Sequence, residues 1–381
     1  MKKAVKAVSP IMATLILLVI AIVTGLVAWM WISGWLGWQL YQAGIQVKIE
    51  DVTVQDGHVH VTIRNTGSSE AVVDRVFIDD LEYDAYAKIQ PGDYKELEFP
   101  YAWTYGTVIK IKVILESGHT AEWRSPIRVP EVPFALKFDG AGDDYISTSH
   151  ADDLSLTTFT IECWLKLYTS SPSWFVPIVV KGSGNVKTSC NYGLFQVRES
   201  TKVQVAFRRE GGGYHYHYCN SNTALELDRW YHVVGIFDGY RLAIYINGLF
   251  DSEYTNIKAG PATNTDPLYV GWNTYSDYKV PRTFIIDELR IYNRPLSEDE
   301  IRDNIRGKVT TDGLVLWYRF DEGSGASVKD VSGSGHTASF GPSGPSWVDG
   351  VEKSDVEHII TGLPVVLVAR EAASAPVERG A

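Results

Sequence analysis

No Asp, Glu, Lys, Arg or His stands between Lys6 and Lys48. Cysteine and methionine are scarce, with three of each in 381 residues. Three cysteines exclude a disulfide framework, and Cys163, Cys190 and Cys219 do not form a paired CxxC zinc pattern. If the chain is exported, at most one bridge can form, with Cys190 and Cys219 as the candidate pair. Cys163 alternates with Phe159, Ile161 and Leu165 and reads as a small buried apolar residue. Basic residues are outnumbered, 35 Lys and Arg against 46 Asp and Glu, for a net charge of −11. That balance argues against nucleic acid or an anionic membrane surface as partner.

Trp, Tyr and Gly are plentiful, which favours strands and turns over helical bundles. The uncharged stretch is also apolar. From Ile11 to Ile32 only Thr14 and Thr24 interrupt it. As a helix this run reaches roughly 33 Å, enough to cross the hydrocarbon core of a bilayer. It is too long for the core of a cleaved secretory signal, and Trp29, Trp31, Trp35 and Trp38 follow in place of a small-residue cleavage site. Lys2, Lys3 and Lys6 would stay cytoplasmic and the tryptophans would sit at the outer interface.

KAVSPIMATLILLVIAIVTGLVAW resembles the N-terminus of archaeal type IV pilin-like proteins, which carry a class III signal. The resemblance implies cleavage beside Ala7, between Ala7 and Val8, with the apolar helix kept on the mature chain. That helix would anchor the protein in the membrane or pack with like subunits in a filament. Residues 1–44 are assigned to this signal and helix.

From residue 45 to 130 the apolar period becomes two, the period of strands. Val59, Val61 and Ile63 share one face after the Asp56-Gly57 turn, and Asn65-Thr66-Gly67 turns the chain again. Six or seven short strands predict a small antiparallel β-sandwich, a spacer or pilin head. Pro126 to Pro133 then reads as a short stiff linker.

Residues 131–350 carry ALKFDGAGDDYIS, LTTFTIECWLKL, DRWYHVVGIFDGYRLAIYINGLF, PLYVGWN and FIIDELRIYNRPLSEDEI in one order. These blocks resemble the laminin G-like, or concanavalin A-like, jelly-roll family. The alternations Phe159, Ile161, Cys163, Leu165 and Leu242, Ile244, Ile246 are core-facing strands, and Asn247-Gly248 is a hairpin turn. Ser297 and Glu300 have capping-box spacing. Residues 313–350 resemble a segment that in many family members precedes the FDG strand, which implies a circular permutation supplying outer strands. Residues 351–381 form a tail with a short apolar run, 364–369, too short to span a membrane.

The family resemblance implies a calcium ion at Asp139 and Asp287, with Asp144 and the carbonyls of Gly140 and Asn273 as weaker additions; calcium takes six to eight oxygen ligands. Tyr214, Tyr216 and Tyr218 alternate with His215 and His217, so in a strand the tyrosines line one face. Such a face can stack on sugar rings, or simply be half-buried. Sandwich hydrolases place their carboxylates as Glu-x-Asp-x-x-Glu on one strand, and that pattern is absent here. No catalytic residue is assigned, and the expected protein is not an enzyme. The sequence therefore predicts a mainly β, cell-surface, pilin-like protein whose jelly roll binds glycans or surface proteins. A membrane-tethered ectodomain without a filament is the alternative, and a surface hydrolase a more distant one.

Overall fold

The computed structural model describes residues 18–31, 44–55, 57–102, 108–126, 133–140, 144–170, 175–185, 189–211, 215–271 and 283–360. The Ala7–Val8 junction, Tyr214, Asn273 and the run 364–369 lie outside the described residues. Residues 18–31 are helical (α1), and their side chains are exposed. No described helix is long and apolar enough to cross a membrane. The one hydroxyl of α1, on Thr24, donates to Ile20 O at 2.7 Å.

The chain divides into two compact units, residues 1–99 with 107–127, and residues 100–106 with 128–381. The first unit contains β1 (Val47–Gln55), β2 (His58–Asn65), β3 (Ala71–Ile78), β4 (Leu81–Ile89), β5 (Tyr94–Pro100), β6 (Val108–Leu115) and β7 (Thr120–Pro126). They form two antiparallel sheets, β1-β2-β5 and β4-β3-β6-β7. Val59, Val61 and Ile63 are buried while their neighbours in β2 are half-buried, as period-two patterning requires. Asn65 closes the turn after β2. Its Nδ2 donates to Ser69 O and Ile89 O, and its Oδ1 accepts from Gly67 N. A side chain at Gly67 would strike Gly44 O at 2.0 Å, so this turn requires glycine.

The second unit begins with β8 (Phe134–Phe138), β9 (Ile146–Thr148), β10 (Phe159–Leu167), β11 (Val176–Asn185), β12 (Ser189–Gln196), β13 (Val203–Arg208), β14 (Tyr216–Asn220) and β15 (Trp230–Phe237). It continues with β16 (Leu242–Ile246), β17 (Leu249–Tyr254), β18 (Leu268–Val270), β19 (Phe284–Tyr292), β20 (Leu314–Tyr318), β21 (Ser327–Val328), β22 (Ala338–Phe340) and β23 (Ser346–Asp349). One sheet runs β17-β16-β15-β10-β19-β8-β23, with β20 also on β19; the other runs β14-β13-β12-β11-β18-β9-β22-β21. Side chains of both inner faces fill one core, including Phe159, Ile161, Cys163 and Leu165 from the first sheet and Tyr192, Leu194 and Val205 from the second. Residues 313–350 return to this sandwich, pairing β20 with β19, β22 with β9 and β23 with β8. Helix α2 (Glu298–Ile305) starts on a complete Ser297–Glu300 capping box, and α3 (Lys353–Ile360) follows the last strand.

The expected Cys190–Cys219 bridge does not form; all three cysteines are free thiols. β13 lies between β12 and β14. Two strand spacings of about 4.8 Å keep the backbones too far apart for a disulfide. The two thiols also face opposite sides of the sheet. Cys219 lies in the core between the sheets, and Cys190 packs with Val180, Phe195 and Ala206 outside it.

Candidate binding groove

β14 and β17 are the terminal strands of the two sheets, and they run beside each other on the same side of the sandwich. Between them lies an open groove of about 460 Å³. Tyr218, Asn220 and Asn222 line one wall; Phe250, Asp251, Ser252, Glu253 and Tyr254 line the other. Three aromatic rings are uncovered here: Tyr218 is 45% exposed, Phe250 49% and Tyr254 47%.

Strand alternation sets where each ring points: on β17 Phe250 opposes Tyr245 and Tyr254 opposes core Leu242, so these two rings take opposite faces of the strand. Tyr216 and Tyr218 share a face of β14, with ring centroids 5.5 Å apart. His217 and Cys219 point the other way, His217 lying 5.5 Å from core Phe207 and 6.0 Å from Tyr254. Burial, helped by the Arg209 charge, lowers the His217 pKa. Of the three tyrosines predicted from sequence, Tyr218 lines the groove, Tyr216 is half-buried behind it, and Tyr214 is outside the described residues. Phe250, Tyr254 and the polar lining were missed by sequence reasoning. The only signal for them was the hairpin at Asn247-Gly248, which gives β17 but not its neighbour.

The polar groups of the groove are already organised. Asp251 accepts Asn222 N at 2.5 Å and Thr223 N at 3.0 Å, while Asn222 Nδ2 donates to Asp251 O at 2.7 Å. Glu253 pairs with Arg241 Nη1 at 2.8 Å, and Arg241 also holds Asp238. Ser252 Oγ donates to Asn220 O at 2.9 Å. These bonds fix both walls, and the rings of Tyr218, Phe250 and Tyr254, each beside another aromatic side chain, stay about half exposed.

Two of the three aspartates predicted as calcium ligands, Asp144 and Asp287, bind backbone N–H groups. Asp144 is buried, and its Oδ2 accepts Asp139 N at 2.7 Å and Gly140 N at 3.2 Å. Asp287 is buried, with Oδ1 on Glu288 N and Oδ2 on Val351 N. Burial, with Glu288 and Asp321 nearby, pushes the Asp287 carboxyl well above the usual range. Asp139 is exposed. Among the described residues no three His, Cys, Asp or Glu side chains gather as metal ligands. Residues 141–143 and 272–282, with Asn273 among them, lie outside the described residues.

A second polar constellation lies on the outer face of the first sheet. Glu162 accepts His232 Nε2 at 2.7 Å, Asn304 Nδ2 at 2.7 Å and Arg290 Nη1 at 3.3 Å. Glu288 accepts from Arg290, from Trp317 Nε1 at 2.8 Å and from Arg319 Nε at 3.2 Å. Burial alone would raise the Glu162 pKa, but the His232 hydrogen bond and the Arg290 charge hold it below the ordinary value. Every group in this chain is buried, so it has no access to a ligand.

Residues 139–302 match the family model described as the concanavalin A-like lectin/glucanases superfamily, of the laminin G type. Over that segment the second unit is similar to a laminin G-like domain. Its matched segment runs from the turn after β8 into α2, and it contains both walls of the groove. No curated protein matches the chain. Among solved structures, it is similar to a candidate carbohydrate-binding protein from Bacteroides ovatus, at 17% identity over 79% of this chain and 94% of that one (TM-score 0.45). It is also similar to a heptameric SAP-like pentraxin from Limulus polyphemus, at 12% identity over 59% of this chain and 98% of that one (TM-score 0.35). A third is the CBM40 module of a Ruminococcus gnavus IT-sialidase bound to α2,3-sialyllactose, at 13% identity over 44% and 93% (TM-score 0.33).

Proposed function

We propose that the laminin G-like domain is a glycan-recognition module, and that the groove between β14 and β17 is its binding site. One observation carries this reading: the exposed rings of Tyr218, Phe250 and Tyr254 flank a row of oriented amide and carboxylate groups. Aromatic faces accept the apolar C–H face of a pyranose, and polar groups at fixed positions select its hydroxyls. The name of the matched superfamily, lectin/glucanases, is in keeping with such a ligand.

Recognition without turnover is the favoured chemistry. Retaining glycoside hydrolysis needs two carboxyl groups about 5 Å apart across the sugar. The groove carboxylates are engaged instead, Asp251 by backbone N–H groups and Glu253 by Arg241. The experiment is a glycan panel followed by calorimetry on the full chain. Phe250→Ala and Tyr254→Ala are each expected to weaken binding tenfold or more, the loss typical of a buried aromatic anchor. Melting temperatures close to the wild-type value would show that the loss is local.

The module is displayed at a cell surface in this reading, on an N-terminal helix that serves as a membrane anchor or filament core. What supports it is the surface of α1, apolar on every side, with the Thr24 hydroxyl turned back onto its own helix. An uncharged helix of this kind is stable beside lipid or other apolar helices and not in water.

A further inference from the structure

Lys181 lies inside the sandwich. On β11 it sits opposite Tyr192 of β12 and Leu268 of β18, both core residues. Directly opposed residues share a face, so the lysine side chain enters the space between the sheets. It is fully buried. Its amine meets two residues: Nζ is 2.5 Å from Asp266 O, 3.0 Å from Asn264 Oδ1 and 3.3 Å from Asn264 O.

The Asn264 amide is held at both ends. Its Oδ1 accepts Asp266 N at 3.1 Å, and its Nδ2 donates to Lys181 O at 3.2 Å. Ser189 Oγ donates to Asp266 Oδ2. Burial pushes the Lys181 amine down to about 8, against the opposing pull of Asp266, so a neutral amine is accessible near neutral pH. A nucleophile, a carboxamide carbon and a backbone N–H on its carbonyl oxygen are therefore assembled in one place, the elements of acyl transfer.

We propose that Lys181 and Asn264 join in an intramolecular isopeptide bond. The neutral amine attacks Cγ of Asn264, and the carbonyl electron pair moves onto Oδ1, where Asp266 N–H stabilises it. The attacking nitrogen passes one proton to Nδ2, and collapse re-forms the carbonyl and breaks the Cγ–Nδ2 bond, so that the departing nitrogen leaves as ammonia. The net change is one Nζ–Cγ bond made, one Cγ–Nδ2 bond broken and one ammonia lost, with no oxidant or reductant. The product ties β11 covalently to the segment that leads into β18.

The test is peptide mapping of the purified full chain, unfolded and digested, by tandem mass spectrometry. The expected result is one species that links the Lys181 peptide to the Asn264 peptide and is lighter than their sum by one ammonia. Asn264→Ala is expected to release the two peptides at full mass. Two separate peptides from the wild-type chain, with a Lys181 amine that acetylates after unfolding, would overturn the proposal and leave an ammonium clipped by three carbonyl oxygens. Loss of ammonia at Asn264 without a linked peptide, the mark of a succinimide, would overturn it as well.

Discussion

Glu162 has every carboxylate bond it needs and no contact with solvent. A buried ion pair adds little compared with a well-packed apolar pair, but removing one partner strands the other. Arg290 lies with its guanidinium 5.0 Å from the centre of the Trp317 ring, and Arg290→Met would leave both Glu162 and Glu288 short of a donor. Arg290→Met or Glu162→Leu is expected to lower unfolding free energy by about 3–5 kcal/mol. Denaturant melts check this; a loss near zero would mean that the network does not stabilise the fold. Glu300 gives a titration test. Burial would raise its pKa, yet Arg294 and the Ser297 N–H and hydroxyl take it from 4.5 down to about 2. A folded value below the unfolded one contributes stability above pH 4.5, and that contribution is lost as pH falls towards 2. Glu300→Gln is therefore expected to flatten the decline of stability across that window, measured as melts at stepped pH. An identical decline in both proteins would remove Glu300 from the acid response.

Strand spacing at β15 makes a sharper test of packing. Gly235 faces Val205 of β13 across the core, and a Cβ there would meet Val205 Cβ and Cγ2 at 2.9 Å. Gly235→Ala must push the sheets apart or displace Val205, at an expected cost of about 1–3 kcal/mol. Gly235→Ala with Val205→Ala should recover part of the loss if the clash is its cause. These elements also mark what could be read from the chain alone. Phe159, Ile161, Cys163 and Leu165 alternate because one face of β10 meets the core, and the capping box is local in sequence, so both were legible. Glu162, between two of those apolar residues, looks solvent-facing by the same rule. It is buried because Asn304 of α2, distant in sequence, closes over it. The groove was half-legible for a related reason: Tyr218 stood out in an aromatic run, but Phe250 and Tyr254 matter only because the last strands of two sheets come together. The Cys190–Cys219 pairing failed because residue types carry no information on the strand that separates them.

For the whole molecule the account joins an apolar N-terminal helix to a binding module. The N-terminal peptide of the mature protein, from membrane and sheared surface fractions, is expected to begin at Val8. A chain that keeps Met1 or Lys2 and never leaves the membrane would remove pilin-type processing and leave a plain anchor. The central claim is glycan recognition in the groove, and it is tested most directly by calorimetry of the full chain against glycans from a panel. The account predicts saturable binding that Phe250→Ala and Tyr254→Ala each weaken tenfold or more without a change in melting temperature. Absence of binding across the panel, or binding that both variants leave intact, would contradict it.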